Sequence, residues 1–411
     1  MRYILFAILI TFVMLTACTS APTATSIPRV TATTAPSSTP TLLPTATVAV
    51  TNAPTQTSTV TLTPVPATPT AAATPRPPTL RELADKLGIK VGIYIDPNAR
   101  YWENREWSDV AAREFNLGVI STLWHVLIPK QDQFDFGLPD GQVKLARASQ
   151  MEIFGATLVY SSFLPDWLKN GSFTRDQYVA MFQNYIQAIM NRYKGQVKTW
   201  EVVNEAGFIY KDSDFWEKHL GREYVELAFR TARVADPSAI LIYNDFGNET
   251  VNGPKYQQTK QIVDSLKAKG LIDGVGLQLH IVALESPTRP GEFAVQAGPT
   301  RYNATASELI EGMMSYGIPA YITELDVDLR EIGGTDEQRF KLQADIYRNV
   351  LDAALKSGVC KDITFWGFGD KYSWLEQPQF NGSPKAQPTL FDDNLKPKPA
   401  YFAVRDALSN K

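Results

Sequence analysis

The sequence predicts an α/β fold, a (β/α)8 or TIM barrel, preceded by a disordered linker rich in Thr and Pro. Two observations predict the barrel: eight short apolar runs recur along residues 79–411, and longer helical patterns lie between them. Strands that alternate with helices pair in parallel through right-handed crossovers, and eight such units in about 330 residues suit a closed barrel. A third observation, the change of composition near residue 78, separates the linker from one large folded domain.

The amino-terminal segment, residues 1–18, resembles a bacterial export signal. Arg2 precedes an apolar run from Tyr3 to Leu15, which is shorter than the roughly 20 residues needed to span a bilayer. The run ends in a Leu-Thr-Ala-Cys sequence that resembles the lipobox of lipoproteins, in which the cysteine becomes the lipidated first residue. An ordinary signal peptide with an incidental cysteine is the alternative. We therefore expect residues 1–18 to be a lipoprotein signal peptide, with lipidation at Cys18.

Residues 19–78 form the predicted linker. This segment contains 19 Thr and 12 Pro, and no Asp or Glu occurs anywhere in residues 1–78. Proline stiffens such a chain, and the lack of large apolar residues denies it a core, so we expect a disordered stalk. Together with a lipid, the stalk would hold the domain away from a membrane. The sequence thus predicts a lipid-anchored protein with an extracellular or cell-surface location.

The composition of residues 79–411 excludes several classes of protein. These residues carry 37 Lys and Arg against 43 Asp and Glu, a net charge of −6, whereas nucleic-acid-binding proteins usually present a basic face. We therefore expect no nucleic-acid partner, a neutral substrate and a monomer. Two cysteines in the chain exclude a disulfide-stapled scaffold. The sequence has no His-x-x-x-His pair, CxxC pair or dense Asp cluster, so we expect neither a metal nor another cofactor.

The apolar runs and helical patterns give the order of the elements. The candidate strands are Lys90–Ile95, Val119–Trp124, Ile153–Tyr160, Val197–Asn204, Ala239–Asn244, Gly274–His280, Ala320–Glu324 and Ile363–Phe368. The helical patterns between them include Arg175–Tyr193, Arg222–Ala235, Lys255–Lys269, Ser307–Tyr316 and Glu337–Ser357. An open, doubly wound sheet is the alternative arrangement. The sequence lacks the glycine-rich phosphate-binding turn of that fold, which favours the barrel.

Two glutamates at strand ends point to a reaction. In a (β/α)8 barrel the chemistry lies at the carboxyl ends of the strands. Glu205 follows the fourth predicted strand and Glu324 ends the seventh, and these ends face each other across a barrel mouth. Such a pair suits a glycosidase, in which one carboxyl protonates the leaving oxygen and the other attacks the anomeric carbon when the two lie about 5–5.5 Å apart. Either glutamate alone would more often be a salt-bridge partner, so the pair is the stronger signal.

Polar residues near the same strand ends strengthen this interpretation. Asn204 directly precedes Glu205, and His280 ends the sixth strand. His280 alone could equally be a core histidine. In the functional interpretation it orients Glu324, with Asp326 supporting the imidazole from the same strand face. A hydrogen-bonded partner favours an ionised nucleophile.

Two tryptophans follow the eighth predicted strand. Trp366 and Trp374 could be core residues, but at a barrel mouth an indole face is a good platform for the apolar face of a sugar ring. The two other histidines, His125 and His219, have no comparable neighbours in the sequence and are interpreted as structural.

Motifs along residues 80–405 resemble family 10 of the glycoside hydrolases, the group of endo-β-1,4-xylanases. They occur in the order found in that family, which makes the resemblance specific. The motifs are Trp200–Glu205, Ala235–Pro237 with Leu241–Asp245, Ile272–His280, Ile322–Asp326, Thr364–Gly367 with Ser373–Leu375, and Leu390–Asp392 with Lys396–Tyr401.

The resemblance implies a role for each site residue. Glu205 would be the acid/base and Glu324 the nucleophile, and Asn204 would bind the 2-hydroxyl of the substrate. His280 and Asp326 would support Glu324. The positions expected to contact sugar are Gln278, Trp366, Trp374, Trp124, Tyr160 and Asn244.

The sequence departs from the family pattern at three strand ends. After strand two, the family's Glu-Asn-Glu-x-Lys-Trp is replaced by Val119–Trp124, in which only the tryptophan survives. After strand three, His-Thr-Leu-Val-Trp-His is replaced by Ala156–Ser161, in which Tyr160 takes the place of tryptophan. After strand five, Asn-Asp-Tyr becomes Asn244–Phe246. The lost groups hold the glycone in that family, so glycone recognition is expected to be atypical.

The sequence therefore predicts a retaining, endo-acting glycoside hydrolase that cleaves β-1,4-linked xylan or a related plant β-glycan. A hydrolase of another β-linked glycan or oligosaccharide is one alternative, because a site that hydrogen-bonds sugar hydroxyls discriminates strongly and these groups have changed. A catalytically silent glycan-binding protein at the cell surface is the other. The retained Asn204, Glu205, His280 and Glu324 argue against it, since a silent barrel need not keep them.

Overall fold

The computed structural model describes residues 76–206, 214–377 and 385–411. The strands among these residues are β1 Lys90–Tyr94, β2 Leu117–Ser121, β3 Glu152–Ala156, β4 Thr199–Asn204, β5 Ile240–Asp245, β6 Gly274–Leu277, β7 His280–Val282, β8 Phe293–Ala297, β9 Thr300–Ala304, β10 Ala320–Asp328 and β11 Cys360–Phe365. Each of β1 to β5 pairs in parallel with the next strand, β6 pairs with β10, and β11 pairs with both β10 and β1. These eight parallel strands close into a barrel, which confirms the predicted fold class.

Helices follow the barrel strands and cover the barrel from outside. Within the described residues they are α1 Leu80–Leu87, α2 Arg105–Glu114, α3 Trp124–Leu127, α4 Gly137–Ala148, α5 Asp166–Lys169, α6 Arg175–Tyr193, α7 Phe215–Leu220, α8 Tyr224–Ala235, α9 Tyr256–Ala268, α10 Ala306–Ser315, α11 Asp336–Ser357 and α12 Pro399–Ser409. Four of them begin with a threonine whose side chain caps the helix while a Glu or Gln three residues later bonds back to the threonine. These reciprocal caps fix where α1, α6, α10 and α11 start.

Four predicted strands ran at least three residues too far at their carboxyl ends, and the last of them, predicted to reach Phe368, ends at Phe365. The chain leaves β2 at Ser121, and Trp124 begins α3 instead of ending a strand. β3 ends at Ala156 rather than at Tyr160. β6 ends at Leu277 because Leu279 takes a left-handed conformation, with φ of 59°, which interrupts the extended chain before β7.

The strands β7, β8 and β9 form an excursion that the sequence analysis did not predict. β7 runs parallel to the end of β10, with His280 opposite Asp326, and β8 and β9 form an antiparallel hairpin beyond it. The tip of the hairpin lies beside the end of β5, where a Cβ atom at Gly298 would meet the Phe246 ring at 3.4 Å. The excursion therefore adds a wall to one side of the barrel mouth.

The barrel interior is closed below its mouth by apolar side chains of β2, β3, β5 and β10. This cluster consists of Leu117, Val119, Phe154, Ala156, Ile242 and Tyr321. Gly155 lies between Phe154 and Ala156 and therefore on the outer face of β3, where a Cβ atom would lie 2.3 Å from the buried Trp200 ring. The mouth above this plug is the open end where side chains can meet a ligand.

The predicted amino-terminal segments fall largely outside the described residues. This applies to the predicted signal peptide, to its lipidation site Cys18 and to residues 19–75 of the predicted linker. Across residues 76–206, 214–377 and 385–411, no helix combines the length and apolar composition needed to cross a membrane.

A buried ion pair fixes the loop that follows β11. The Lys398 ammonium lies 3.0 Å from the Asp370 carboxylate, and both side chains are only 3% exposed. Asp370 also accepts hydrogen bonds from the backbone and hydroxyl of Thr389. This loop carries Trp366 and Trp374, so the pair holds their backbone in place.

We predict that Lys398→Met lowers the free energy of unfolding by about 3–5 kcal/mol, because it leaves the Asp370 carboxylate buried without its cation. The matched control is Lys385→Met, whose ion pair with Asp393 is exposed and should contribute roughly 0–1 kcal/mol. Chemical denaturation of both variants checks the difference. Equal losses would show that the buried pair does not hold the loop.

Candidate active site

A cleft of about 790 Å³ lies at the carboxyl ends of the barrel strands. Its floor holds Glu205, which follows β4, and Glu324, which lies in β10. Loops after β2 and β3 form one side, and the β8–β9 hairpin with the end of β10 forms the other. Glu205 is 9% exposed and Glu324 is 7% exposed, so their carboxyl groups face the cleft from a largely dry floor.

Glu205 is held by three neutral donors. The Tyr160 hydroxyl donates to Oε2 at 2.8 Å, the Gln278 amide donates to Oε1 at 2.7 Å, and the Asn204 amide donates to Oε1 at 3.3 Å. Burial, and then the charge of Asp245, raise the pKa of Glu205 to about 7, although the bonds from Gln278 and Tyr160 oppose the rise. The group can therefore hold a proton near neutral pH and release it in response to small changes nearby.

Glu324 has charged and polar partners on both oxygens. The Asn244 amide donates to Oε1 at 2.9 Å, and Nε2 of His280 lies 3.2 Å from Oε2. The Thr323 hydroxyl donates to the Asn244 carbonyl oxygen at 2.7 Å, which turns the Asn244 amide toward Glu324. These contacts stabilise a carboxylate rather than a carboxylic acid.

His280 bridges two carboxylates. Its Nδ1 lies 3.0 Å from Asp326, and its Nε2 contacts Glu324. Burial by itself would lower the pKa of His280, but the charge of Asp326 and the hydrogen bonds to Asp326 and Glu324 outweigh it and raise that pKa well above its ordinary value. Each ring nitrogen thus faces one carboxyl group, an arrangement that favours the protonated ring. Asp326 is fixed in turn by Nε1 of Trp374, which donates to it at 2.8 Å.

A network of amides joins the two halves of the floor. The Asn204 side-chain oxygen accepts bonds from the Asn244 amide at 3.1 Å and from the Gln278 amide at 3.4 Å. Gln278 also donates to Glu205, and Asn244 also donates to Glu324. The hydrogen-bond network therefore couples the positions of the two carboxyl groups.

Aromatic rings cover the floor near the end of β11. Trp366 stacks on Tyr94 with ring centroids 4.4 Å apart, and its edge faces the His280 ring. The Trp374 ring lies 5.2 Å from the His280 ring. Both indoles line the cleft and are partly exposed in it. They offer flat apolar surfaces beside the carboxylates, as a sugar-binding site requires.

Comparison with known proteins fixes the family. The model of glycosyl hydrolase family 10 matches residues 79–407. Endo-1,4-β-xylanase B of Thermotoga neapolitana is 33% identical over 341 residues, which cover 81% of this chain and 92% of that protein. The chain belongs to glycosyl hydrolase family 10.

Other members of the family agree in sequence and in fold. Endo-1,4-β-xylanase A of Fusarium oxysporum f. sp. lycopersici is 33% identical over 292 residues, covering 70% of this chain and 85% of that protein. The crystal structure of xylanase 10B from Thermotoga maritima matches with a TM-score of 0.71 at 33% identity, over 81% of this chain and 98% of that one. Xylanase 10B from Thermotoga petrophila in complex with xylobiose matches with a TM-score of 0.70 at 31% identity, over 82% and 99% of the two chains.

Within this family 10 enzyme, most of the predicted site residues meet in the cleft. The residues that line it are Asn204, Glu205, Gln278, His280, Glu324, Asp326, Trp366, Trp374 and Tyr160. His125 also lines the cleft and is exposed there, whereas His219 packs between the rings of Tyr178 and Phe215.

Two residues predicted to contact sugar lie elsewhere in the enzyme. Trp124 is buried in the core, where it stacks on Tyr185 with ring centroids 3.9 Å apart and donates its indole N–H to the carbonyl oxygen of Leu158. The prediction for Trp124 was wrong because the chain leaves β2 earlier than expected and turns the indole inward. Asn244 is fully buried beneath the carboxylates, so it contacts Glu324 and Asn204 rather than the cleft.

Three buried carboxyl groups of the enzyme were missed by the sequence analysis. Glu201 lines the bottom of the cleft, and burial together with the charge of Glu324 raises its pKa well above its ordinary value. Asp245 pairs with the buried Lys255 at the end of β5. The position of Asp245 at the end of β5 was a signal that could have found it, whereas Glu201 lies inside β4, where no such signal marks it.

The third missed carboxyl group, Glu249, holds the bend between β6 and β7. Its Oε1 accepts the backbone N–H of Leu279 at 3.2 Å, and its Oε2 accepts the hydroxyl of Tyr302 from β9 at 2.7 Å. Leu279 lies between Gln278 and His280, so this carboxyl fixes the backbone that aims both side chains at the glutamates. No local sequence pattern reveals such a contact, because its partners are 30 and 53 residues away.

The described residues contain no group of three or more His, Cys, Asp or Glu side chains that could hold a metal ion.

We predict that Tyr160→Phe raises the pKa of Glu205, because the hydroxyl that it removes stabilises the ionised carboxyl. An NMR titration of the labelled Glu205 carboxyl group measures the change. Tyr401→Phe is the matched control, since it removes a tyrosine hydroxyl that donates to a different buried carboxyl, Glu114, outside the cleft and should leave the titration of Glu205 in place. An unchanged titration in Tyr160→Phe would contradict the assigned hydrogen bond.

Proposed function

We propose that this family 10 enzyme is a retaining endo-β-1,4-xylanase in which Glu205 is the acid/base and Glu324 the nucleophile. The single observation that supports this assignment is the contrast between the surroundings of the two glutamates. Among the described residues, Glu205 accepts hydrogen bonds from neutral donors and has a pKa raised to about 7, whereas Glu324 lies 3.2 Å from Nε2 of His280, whose pKa is raised well above its ordinary value. A proton donor and an anionic nucleophile are the two groups that retention needs.

In the first step, the Glu324 carboxylate attacks the anomeric carbon and the bond to the leaving oxygen breaks. Glu205 gives its proton to that oxygen, so that the departing sugar leaves as a neutral alcohol. A covalent glycosyl-enzyme results, and Glu205 is now ionised. In the second step Glu205 takes a proton from water, the water oxygen attacks the anomeric carbon, and Glu324 is released as a carboxylate with net retention.

His280 and Asn244 would serve the nucleophile in two ways. Their hydrogen bonds hold one orientation of the Glu324 carboxyl group, and they stabilise its negative charge before attack and after release. Asp326 contacts Nδ1 of the imidazole, and Trp374 donates a hydrogen bond to Asp326, so the two residues fix the position of the ring. We therefore propose that these residues position the nucleophile and do not themselves exchange protons with the substrate.

Asn204 and Gln278 are the polar groups best placed to bind a sugar hydroxyl next to the reacting carbon. Both line the cleft and contact Glu205, so a bound sugar would share their amides with the carboxyl group. Trp366 and Trp374 would support the apolar face of the same sugar. The relatives whose activity is known are endo-1,4-β-xylanases, and one homologous structure contains xylobiose, which supports xylose as that sugar.

The shape of the cleft supports attack within a chain. Its walls come from opposite sides of the barrel, with the loops after β2 and β3 on one side and Phe246, Gln296 and Arg330 on the other. The glutamates lie on the floor between these walls. A polysaccharide could therefore extend past both sides of the cleavage point.

We predict that the full chain releases xylo-oligosaccharides from unbranched β-1,4-xylan and that Glu324→Gln lowers kcat by on the order of 10⁴-fold or more, the loss expected when a covalent nucleophile is removed. The matched control is Glu337→Gln, which changes an exposed glutamate on α11 and should retain full activity. NMR of the first products determines the anomeric configuration. An active Glu324→Gln variant would exclude the nucleophile assignment, and initially inverted products would exclude retention.

The alkaline side of the activity profile should follow Glu205. Because the acid must carry its proton in the first step, kcat/KM should be high below about pH 7 and fall as the pH rises through the pKa of Glu205. In Tyr160→Phe the decrease in kcat/KM should occur at higher pH, because that variant is expected to raise the pKa of Glu205.

We further propose that the chain is a lipoprotein exported to the cell surface and anchored through Cys18. The apolar run from Tyr3 to Leu15, the following small residues and the Thr- and Pro-rich linker support this proposal. Full-length protein should partition into the detergent phase of a cloud-point extraction, and Cys18→Ala should move it to the aqueous phase. Aqueous partitioning of the unaltered chain would exclude a lipid anchor.

A further inference from the structure

We propose that the cleft has a subsite for O-acetyl groups carried by the sugar chain. Its location is the apolar wall, which we define as Leu123, Val126, Leu138 and Phe163. The inference rests on the proposed function, since it names the form of the polysaccharide that the same cleft accepts. Four observations carry it: the composition of this wall, its exposure, the engagement of nearby polar groups, and its continuity with Glu205.

The apolar wall comes from the loops after β2 and β3 and from the first turn of α4. Phe163 is 48% exposed, which is unusual for a ring of this size, and the three aliphatic residues are partly exposed. The Phe163 ring lies 5.4 Å from the His125 ring, and the backbone N–H of His125 donates to the carbonyl oxygen of Phe163 at 3.2 Å. The two loops therefore present one joined surface to the cleft.

The polar groups nearest to this wall already have partners within the protein. The Thr157 hydroxyl lies 3.3 Å from the carbonyl oxygen of Glu201, and the Ser121 hydroxyl is hydrogen-bonded to Tyr94. His125 directs Nδ1 toward the carbonyl oxygen of Phe163 at 3.3 Å. A sugar hydroxyl that packs against the four apolar side chains finds no hydrogen-bonding atom on them and loses its bonds to water.

The wall is continuous with the catalytic floor. The Tyr160 ring lies 5.5 Å from the Phe163 ring, and its hydroxyl donates to Glu205. The Tyr160 ring therefore joins the apolar wall to the acid/base. A sugar chain that places its scissile bond at Glu205 must bring a neighbouring unit against the wall.

O-Acetylation suits this surface in two respects. It replaces a hydroxyl hydrogen, which removes the donor that the wall leaves unmatched, and it adds one methyl group that can be buried against Phe163 and the aliphatic side chains. Each buried methyl group is worth about fourfold in affinity. Contact between the acetyl methyl group and the apolar wall removes both apolar surfaces from water, which favours binding.

The experiment measures binding and hydrolysis separately. The full chain carrying Glu324→Gln is titrated calorimetrically with O-acetylated xylo-oligosaccharides and with the same preparation after mild alkaline deacetylation. We expect the acetylated ligand to bind about four- to tenfold more tightly, for one or two methyl groups in contact. Phe163→Ser in the same background should bring the ratio of the two affinities close to one.

Phe402→Ser is the matched control, since it removes another exposed phenylalanine, 41% exposed, from α12. It should leave the ratio unchanged. Equal or weaker binding of the acetylated ligand would overturn the proposal, as would a preference that survives Phe163→Ser. Tighter binding of a feruloylated oligosaccharide than of the acetylated one would assign the wall to aryl esters and also overturn it.

Hydrolysis of the acetylated and deacetylated oligosaccharides by the unaltered chain tests the xylanase proposal separately from the acetyl subsite. Cleavage of both forms, without an affinity preference in the Glu324→Gln background, would refute the acetyl subsite and leave the xylanase assignment intact. A clear preference in binding without cleavage of either form would refute the xylanase assignment and support the subsite.

Discussion

The structure of the site depends on the burial of several carboxyl groups at one end of the barrel. Glu201, Glu205, Asp245, Glu324 and Asp326 are all buried, and they crowd the same mouth. Carboxylates in such surroundings cannot all be ionised without nearby positive charge. Within the described residues, His280 lies against Glu324 and Asp326, and Lys255 pairs with Asp245. Burial nevertheless raises the pKa of Asp245, and it also raises the pKa values of Glu201 and Glu205, whose hydrogen-bond partners in the described floor are neutral.

The surroundings of Glu205 and Glu324 differ although both residues are glutamates. The two side chains lie on one floor and are joined by an amide network, so only their neighbours distinguish them. His280 and Asn244 contact Glu324, whereas neutral amides and a hydroxyl surround Glu205, whose pKa is raised by burial to about 7. The proposed division of roles between an acid and a nucleophile rests on this difference in surroundings.

The sequence predicted the barrel and the catalytic floor because both depend on periodic patterns. Strand ends recur at regular intervals, and α6 was predicted with both of its ends because a capping box at Thr174 and a polar break after Tyr193 delimit it. The loops were harder. Trp124 was placed in the cleft because a strand pattern was extended past Ser121, and three-dimensional packing against Tyr185 decided otherwise. Glu249 and Tyr302 were missed because their contact joins distant parts of the chain.

The same difference between strands and loops explains how this enzyme departs from its family without losing its chemistry. The floor residues lie at the ends of β4, β6, β7 and β10, where the register of the barrel fixes their separation. The wall beside Tyr160 comes from loops after β2 and β3, whose side chains can change without altering that register. Tyr160 contacts both regions, since its ring borders Phe163 and its hydroxyl donates to Glu205. Tyr160 is therefore the side chain through which the loop wall is joined to the carboxyl group that follows β4.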